Sequence, residues 1–160
     1  MLIRKTMAAD IEAASEIYAE ARRFMRQCGN PNQWSSTYPN EETVREDILS
    51  GNGYVCEDGG EVVGVFFFRV GNDPTYERIY DGKWLSDAPY AVIHRIAVKY
   101  QGRGIAGFIF RECFAMHPNL RIDTHRDNLP MQTSLKKNGF LPCGTIYLES
   151  GDPRIAFQKI

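Results

Sequence analysis

Three groups of residues in this chain have the types and spacing to do chemistry. The first is a glycine-rich loop, Gln101-Gly102-Arg103-Gly104-Ile105-Ala106, set inside the stretch HRIAVKYQGRGIAGFIF from His94 to Phe110. An apolar, β-branched run enters it and a helix-like pattern leaves it. Consecutive backbone N–H groups in such a loop, together with the positive end of the following helix, converge on one point and hold phosphate oxygens. GRGIAG fits G-x-G-x-x-G, the dinucleotide fingerprint, with Asp123 about twenty residues beyond the first glycine, where an acidic ribose ligand belongs. QGRGIA equally fits Q/R-x-x-G-x-G/A, which cradles a different pyrophosphate. No G-K-[ST] follows, so a nucleoside-triphosphate loop is excluded.

The second group is His94, in AVIHRIAV, with His125 and Asp123, in RIDTHRDN. Imidazole titrates near neutral pH and moves protons in either direction. The third is aromatic: Trp34 in GNPNQW, Tyr38 in TYPN, and Tyr80 and Trp84 in an irregular segment. Cys28, Cys56, Cys113 and Cys143 are scattered, with no C-x-x-C and no histidine at ligand spacing. They read as free thiols in a reducing compartment, and no metal site is expected.

The elements that must position these groups follow from periodicity. LIRKT is a short strand, and Asp10 is a suitable N-cap for a helix over 11–28 whose Ile11, Ala14, Tyr18, Ala21 and Met25 share a face. A shorter helix carries Val44, Ile48 and Leu49. YVCEDGGEVVGVFFFRV is a hairpin turning at EDGG, and VVGVFFF is a strand covered on both faces. Residues 71–90 form a long aromatic loop of the kind that often carries function. AVIHRIAV is a strand, followed by a helix burying Ile105, Phe108, Ile109 and Phe114, a strand LRIDTH, and a short helix LPMQTSLKK. A closing hairpin pairs TIYLES with RIAFQKI. The order β-α-α-β-β-β-α-β-α-β-β predicts a mixed α/β (α+β) fold in one domain, residues 1–160. Its central sheet is mostly antiparallel with one β-α-β crossover, and helices cover both faces.

That order decides between the two phosphate readings. A dinucleotide fold needs several consecutive β-α units, whereas about fifty residues follow the loop and they end in a hairpin. RIAVKYQGRGIAGFIF, followed by RIDTHRDNLPMQTSLKKNGF, resembles the GNAT superfamily of acetyl-CoA-dependent N-acetyltransferases. The first matched motif is strand, Gln101–Ala106, helix. The second is Asn128 at a strand end, then Met131, Gly139 and Phe140 in spacing. The element order matches the family's across essentially the whole chain.

The resemblance implies that acetyl-CoA is cosubstrate and that an amine of a small molecule or peptide attacks it directly in a ternary complex. It further implies that the N–H groups of Gln101, Gly102, Arg103, Gly104, Ile105 and Ala106 hold the pyrophosphate. The backbone of Ile96, Ala97 and Val98 then pairs with the pantetheine arm like an added strand. Arg103 either adds charge to that contact or is a solvated loop arginine. Asn128 either bonds the cofactor or simply caps a helix.

Transfer from a thioester needs a base, since a lysine-like amine is mostly ammonium at neutral pH. His94 is the first candidate and His125 the second, with a histidine bonded inside the sheet or lining the pocket as the bland alternative for His94. The Val98 N–H is the expected oxyanion donor. Alternation puts His94 and Val98 on one strand face. Asp123 orients His125, binds a cationic substrate, or partners Arg121 or Arg126. The family's tyrosine acid falls at Leu135 here, a departure that leaves Ser134, Tyr147 or water to protonate the thiolate, or the thiolate to leave unprotonated. Trp34, Tyr38, Tyr80 and Trp84 are candidates for the acceptor pocket, with core packing as their alternative.

Forty-three per cent hydrophobic and 24% charged residues at a net charge of −1 are those of an ordinary soluble globular protein. The near-balanced charge argues against nucleic-acid or membrane-surface binding. No targeting or membrane-spanning run is visible, so a cytoplasmic location is expected. Two other functions fit parts of the sequence: a non-catalytic acyl-CoA-binding module on the same fold, and, more remotely, a dinucleotide oxidoreductase. Dimerisation is common in the family, and the closing hairpin offers an edge for a homodimer.

Overall fold

The computed structural model describes residues 1–160. Its elements are β1 (Leu2–Lys5), α1 (Ile11–Gln27), α2 (Glu41–Leu49), β2 (Gly53–Asp58), β3 (Glu61–Val70), β4 (Ala91–Val98), α3 (Ile105–Met116), β5 (Leu120–Thr124), α4 (Leu129–Lys137), β6 (Leu141–Tyr147) and β7 (Pro153–Lys159). Short 3-10 turns lie at Ala8–Asp10 and Pro74–Tyr76. The seven strands make one sheet in the order β1-β2-β3-β4-β5-β7-β6. Only β4 and β5 run parallel, and α3 supplies the long crossover such a pair needs. One parallel pair is no wound half, which corrects the dinucleotide alternative for the glycine loop.

One face of the sheet packs against α3 and α4 through Phe66, Phe68, Ile93, Ile109, Phe110, Leu135 and Phe157. On the other face, α1 and α2 bury Ala14, Ile17, Tyr18 and Val44 against Val65 and Ala97. The β3–β4 loop covers the rest of it, with Tyr76 and Tyr90 on Val92, Ile146 and Ala156. The β3 strand is thus apolar on both sides, as its sequence predicts. Gly64 lets α3 approach closely, because a Cβ there would lie 3.0 Å from Ile109 Cδ1.

Three local expectations need correction. Asp10 does not cap α1 with its side chain. Its carboxylate accepts from Arg4 at 2.7 and 3.0 Å and from the Met7 N–H at 2.8 Å. Leu49 is 88% exposed, since the α2 face toward the sheet is Thr43, Val44 and Asp47. In α3, Phe110 and Cys113 are the buried partners of Ile105 and Ile109, while Phe108 and Phe114 are only partly covered.

The feature that builds the site is a bulge. The β3–β4 register steps from Val65↔Ala97 to Phe67↔His94, so Phe66 alone opposes Arg95 and Ile96. Arg95 takes φ +52 there. The extra residue reverses the side-chain alternation. His94 shares its face with Val92, whereas Val98 packs toward α3, which corrects the expectation that both lie on one face. Bulges bend a strand and increase its twist. Accordingly β4 pairs with β5 only at Ala91↔Leu120 and Val92↔Arg121. Beyond Val92 the two strands separate and a cleft opens between them.

No helix is long and apolar enough to cross a membrane. All four cysteines are unbridged, and all but Cys28 are buried. The β6 edge is partly occupied by the chain itself, since Tyr80 and Thr145 exchange backbone hydrogen bonds of 2.9 and 2.7 Å.

Candidate active site

At one end of the cleft the site is made of backbone. Gly102 and Gly104 adopt φ +75 and +74, and nothing lies within 4 Å of where a Cβ would be. Such φ values are the left-handed region that glycine enters freely. The N–H groups of residues 101 to 107 donate to no acceptor of the protein. Those of the first α3 turn point out of the helix, toward the loop, where the helix dipole also favours negative charge. Arg103 stacks its guanidinium over the Tyr100 ring at 4.7 Å. The unshared donors and the room left by two glycines fit a diphosphate.

From this loop the cleft runs along β4. The Lys99 N–H bonds Val63 O at 2.9 Å, so by alternation the Val98 N–H points away from β3, toward the gap. Ile96, Ala97, Val98, Gln101 and Ala106 line this part together with Met131, Ser134 and Asn128 of the α4 side. Asn128 caps α4, its Oδ1 accepting from the Met131 N–H at 3.1 Å and its Nδ2 donating to Gln33 Oε1 at 2.9 Å. Leu135 is fully buried on the inner face of α4, and Ser134 is the hydroxyl that faces the cleft.

A second cavity of about 260 Å³ continues from it, sharing Met25, Ile96, Asn128 and Met131. Here the groups are side chains. His94 Nε2 lies 2.7 Å from Asp73 Oδ2. Asp73 Oδ1 accepts from the Thr75 N–H at 3.0 Å and the Thr75 hydroxyl at 2.7 Å. Burial works to raise the Asp73 pKa, but the bonds from His94 and Thr75 outweigh it and hold the carboxyl well below the usual carboxylate range. An ionised carboxylate only accepts, so Nε2 carries a hydrogen, and Nδ1 of the neutral ring is left as an acceptor without a protein partner. His94 and Asp73 therefore form a dyad with one basic nitrogen available.

Four further groups line the same cavity. Arg95, on the bulge, donates to Asp47 Oδ1 at 2.6 Å and to the Tyr38 hydroxyl at 3.4 Å. Burial raises the Asp47 pKa, with Arg95 opposing it. Asp123 accepts from the Tyr76 hydroxyl at 2.7 Å, so neither Arg121 nor Arg126 is its partner. Arg121 is instead stacked 4.0 Å from both the Trp84 and Tyr90 rings. Gln33 Oε1 gathers bonds from Asn30, Asn128 and, at 3.5 Å, Thr124. Arg154 lines the wall beside it.

Of the aromatic candidates, Trp34 and Tyr38 line this cavity, Trp34 meeting Tyr18 edge-on at 6.0 Å. Trp84 lies behind Tyr76, donating Nε1–H to its carbonyl at 3.0 Å, and Tyr80 packs on Tyr147 over β6. Neither reaches the cavity, because the loop that carries them is held on the far strands. Lys83 N bonds Cys143 O at 2.9 Å, and buried Gln158 accepts from Leu85 N at 2.7 Å. His125 also stands outside the cavity. Its Nδ1 accepts from the Asp127 N–H at 3.0 Å, and burial, assisted by Arg154, lowers its pKa. Sequence reading missed Asp73, Gln33 and Arg154. Asp73-Pro74-Thr75 is a turn-initiating signature, and Arg154 stands out as a charge alternating with Ala156 inside a buried strand.

No family model matches the sequence, and no curated protein matches it. Among solved structures, an acetyltransferase of the GNAT family from Streptococcus agalactiae is 34% identical, with a TM-score of 0.91 over 99% of this chain and 94% of that one. A ribosomal-protein-alanine N-acetyltransferase from Brucella melitensis shares the fold at 20% identity and TM-score 0.67, over 100% of this chain and 99% of that one. Ard1 from Thermoplasma volcanium does so at 17% and 0.67, over 99% and 96%.

Proposed function

The chain belongs to the GNAT family of acetyltransferases, and on that premise we propose that it moves an acetyl group from acetyl-CoA to a primary amine by direct attack in a ternary complex. The observation that carries this reading is the continuity of the cleft. It leads from unshared N–H groups at residues 101–107, past the Val98 N–H, to the free nitrogen of the His94–Asp73 dyad.

The N–H groups of residues 101 to 106 would hold the pyrophosphate, and the backbone edge of Ile96 to Val98 the pantetheine arm. Acetyl-CoA supplies the thioester: its carbonyl carbon takes the amine lone pair, an N–C bond forms, and the C–S bond breaks with its electrons going to sulfur. His94 Nδ1 takes the proton the amine loses, while Asp73 keeps the ring in the tautomer that can accept it. The Val98 N–H receives the charge developing on the carbonyl oxygen. Ser134, on the cleft side of α4, is the hydroxyl offered to protonate the departing sulfur; a thiol near pKa 8.5 needs little help. No cysteine lines either cavity, which supports direct attack over a thiol acyl-enzyme. The modest cavity, below the roughly 300–1,000 Å³ common for ligand pockets, favours a small acceptor over a protein side chain. Unbridged cysteines suit the reducing cytoplasm, where we place the protein.

The test has two arms. Melting is measured with acetyl-CoA, coenzyme A and NAD side by side. A ligand at about a hundred times its Kd adds roughly 2.7 kcal/mol, so a shift with acetyl-CoA and with coenzyme A and none with NAD is expected. Thiol release from acetyl-CoA is then followed over an amine panel. Binding without release, by any amine and in slow hydrolysis, would leave only an acyl-CoA-binding module.

A further inference from the structure

In the acceptor cavity, Asp123 and Arg154 are the two charged side chains that bond to no basic or acidic side chain of the protein. Asp73 is paired with His94, and Arg95 with Asp47. Asp123 receives only the neutral Tyr76 hydroxyl. Arg154 is 5% exposed and has no carboxylate within 4.0 Å; it donates only to the carbonyls of Pro153, at 3.0 Å, and Gln33, at 3.4 Å. A buried guanidinium without an anion is costly, because its charge is stripped of water and not repaid by a partner. Such a residue in a cavity wall is built to receive one.

The sheet register sets the spacing of the two. Asp123 is opposite Ala156, and Arg154 lies two residues along β7, so both project from the same face as diagonal neighbours about 7–8 Å apart. They do not bond to each other, Asp123 accepting from Tyr76 and Arg154 donating to two carbonyls, so both charges are left for a ligand. On the other side, Val92↔Arg121 is the last β4–β5 pair, and carrying that register two residues on puts His94 across the opened gap from Asp123. The carboxylate, the base and the guanidinium therefore occupy one face of three successive strands.

Resting on the acetyl-transfer reading, we propose that the acceptor is a free α-amino acid or a close zwitterionic analogue, its carboxylate held by Arg154 and its amino group between Asp123 and His94. Arg154 presents a planar fork that matches a carboxylate with two hydrogen bonds. Asp123 attracts the ammonium form on entry, and His94 Nδ1 takes the proton that frees its lone pair. The carboxylate contact leaves the chemistry unchanged and acts on which amine is seated.

The experiment compares acceptors that differ only in the carboxylate. Thiol release from acetyl-CoA is measured with phenylalanine, phenylalanine amide and phenethylamine, and with the alanine and leucine series of the same kind, while acetyl-CoA binding is followed separately by calorimetry. In at least one series the free amino acid should exceed its amide and its decarboxylated amine in kcat/KM by about ten- to a hundredfold, the worth of a charge-assisted pair. Arg154→Gln should collapse that ratio by raising KM for the amino acid far more than it lowers kcat. Should Arg154→Gln fail to fold, Arg154→Lys keeps a cation and loses the fork, and the ratio should narrow. Equal use of all three acceptors, or a ratio that survives in a folded Arg154 variant, overturns the proposal while acetyl transfer stands. Absence of acetyl-CoA binding overturns the acetyl-transfer reading and this proposal with it.

Discussion

The two ends of the cleft are built in opposite ways. At the loop end, the donors are backbone N–H groups of one continuous segment, residues 101–107, and two glycines supply positive φ and clearance. At the acceptor end, the functional groups are side chains drawn from separate segments: Gln33 and Trp34 after α1, Asp73 before a 3-10 turn, His94 on β4, Asp123 on β5 and Arg154 on β7. A backbone site tolerates most changes of side chain and recognises a chemically constant group. A side-chain site changes its selectivity with one substitution. Constant cosubstrate at one end and a selected acceptor at the other would follow from that contrast.

Substitutions that should hurt one end and spare the other would sharpen it. The largest effect is expected for His94→Ala, which removes the proposed base. Its kcat for thiol release should fall by about 10²- to 10⁴-fold with acetyl-CoA affinity retained, and an equal loss of affinity would break the division between the two ends. Asp73→Asn comes next, with kcat lower by about ten- to a hundredfold through loss of a charged hydrogen bond to His94. It also carries a pH signature. The folded pKa of Asp73 is depressed, so its stabilisation is complete above its unfolded value near 3.9 and is lost as pH falls through the lower folded value. The melting gap between wild type and Asp73→Asn should therefore be full at pH 7, begin to narrow below about pH 4 and close only as pH falls through the lower folded value.

Gly104→Ala is the complementary test. An alanine at φ +74 is strained by roughly 1–2 kcal/mol, and the loop must shift to relieve it. Calorimetry should show acetyl-CoA affinity weakened by about tenfold, with KM for the amine little altered. The smallest effect belongs to Tyr80→Ala. Tyr80 sits 45% exposed over β6, so kcat/KM should stay within about twofold of wild type. A larger loss would show that the aromatic loop reaches the acceptor after all.

The same contrast explains what could be read from the chain beforehand. The element order, the one crossover, the double-sided β3 strand and the glycine loop were all legible, because each depends on periodicity or on local turn chemistry. His94 was picked out by residue type. Its partner was not, since Asp73 lies 21 residues away and meets it only when the loop folds back across β4. The same-face expectation for His94 and Val98 failed for a physical reason too. A bulge adds one residue to one strand, and nothing in HRIAV announces that Arg95 will take φ +52. Trp84 and Tyr80 were equally plausible pocket residues by composition, and they were drawn elsewhere by Arg121, Tyr76 and Tyr147.

By itself, then, the sequence determined the order of elements and the glycine loop with its positive φ, because hydrogen bonding and φ preferences act over a few residues. Tertiary structure alone decided which charges meet. The bulge at Arg95 turned His94 to its face, separation of β4 from β5 opened the gap, and the register of β7 brought Arg154 beside Asp123 without letting them pair. Charge pairing is a matter of ångströms between strands distant in sequence, and only the assembled sheet fixes those distances.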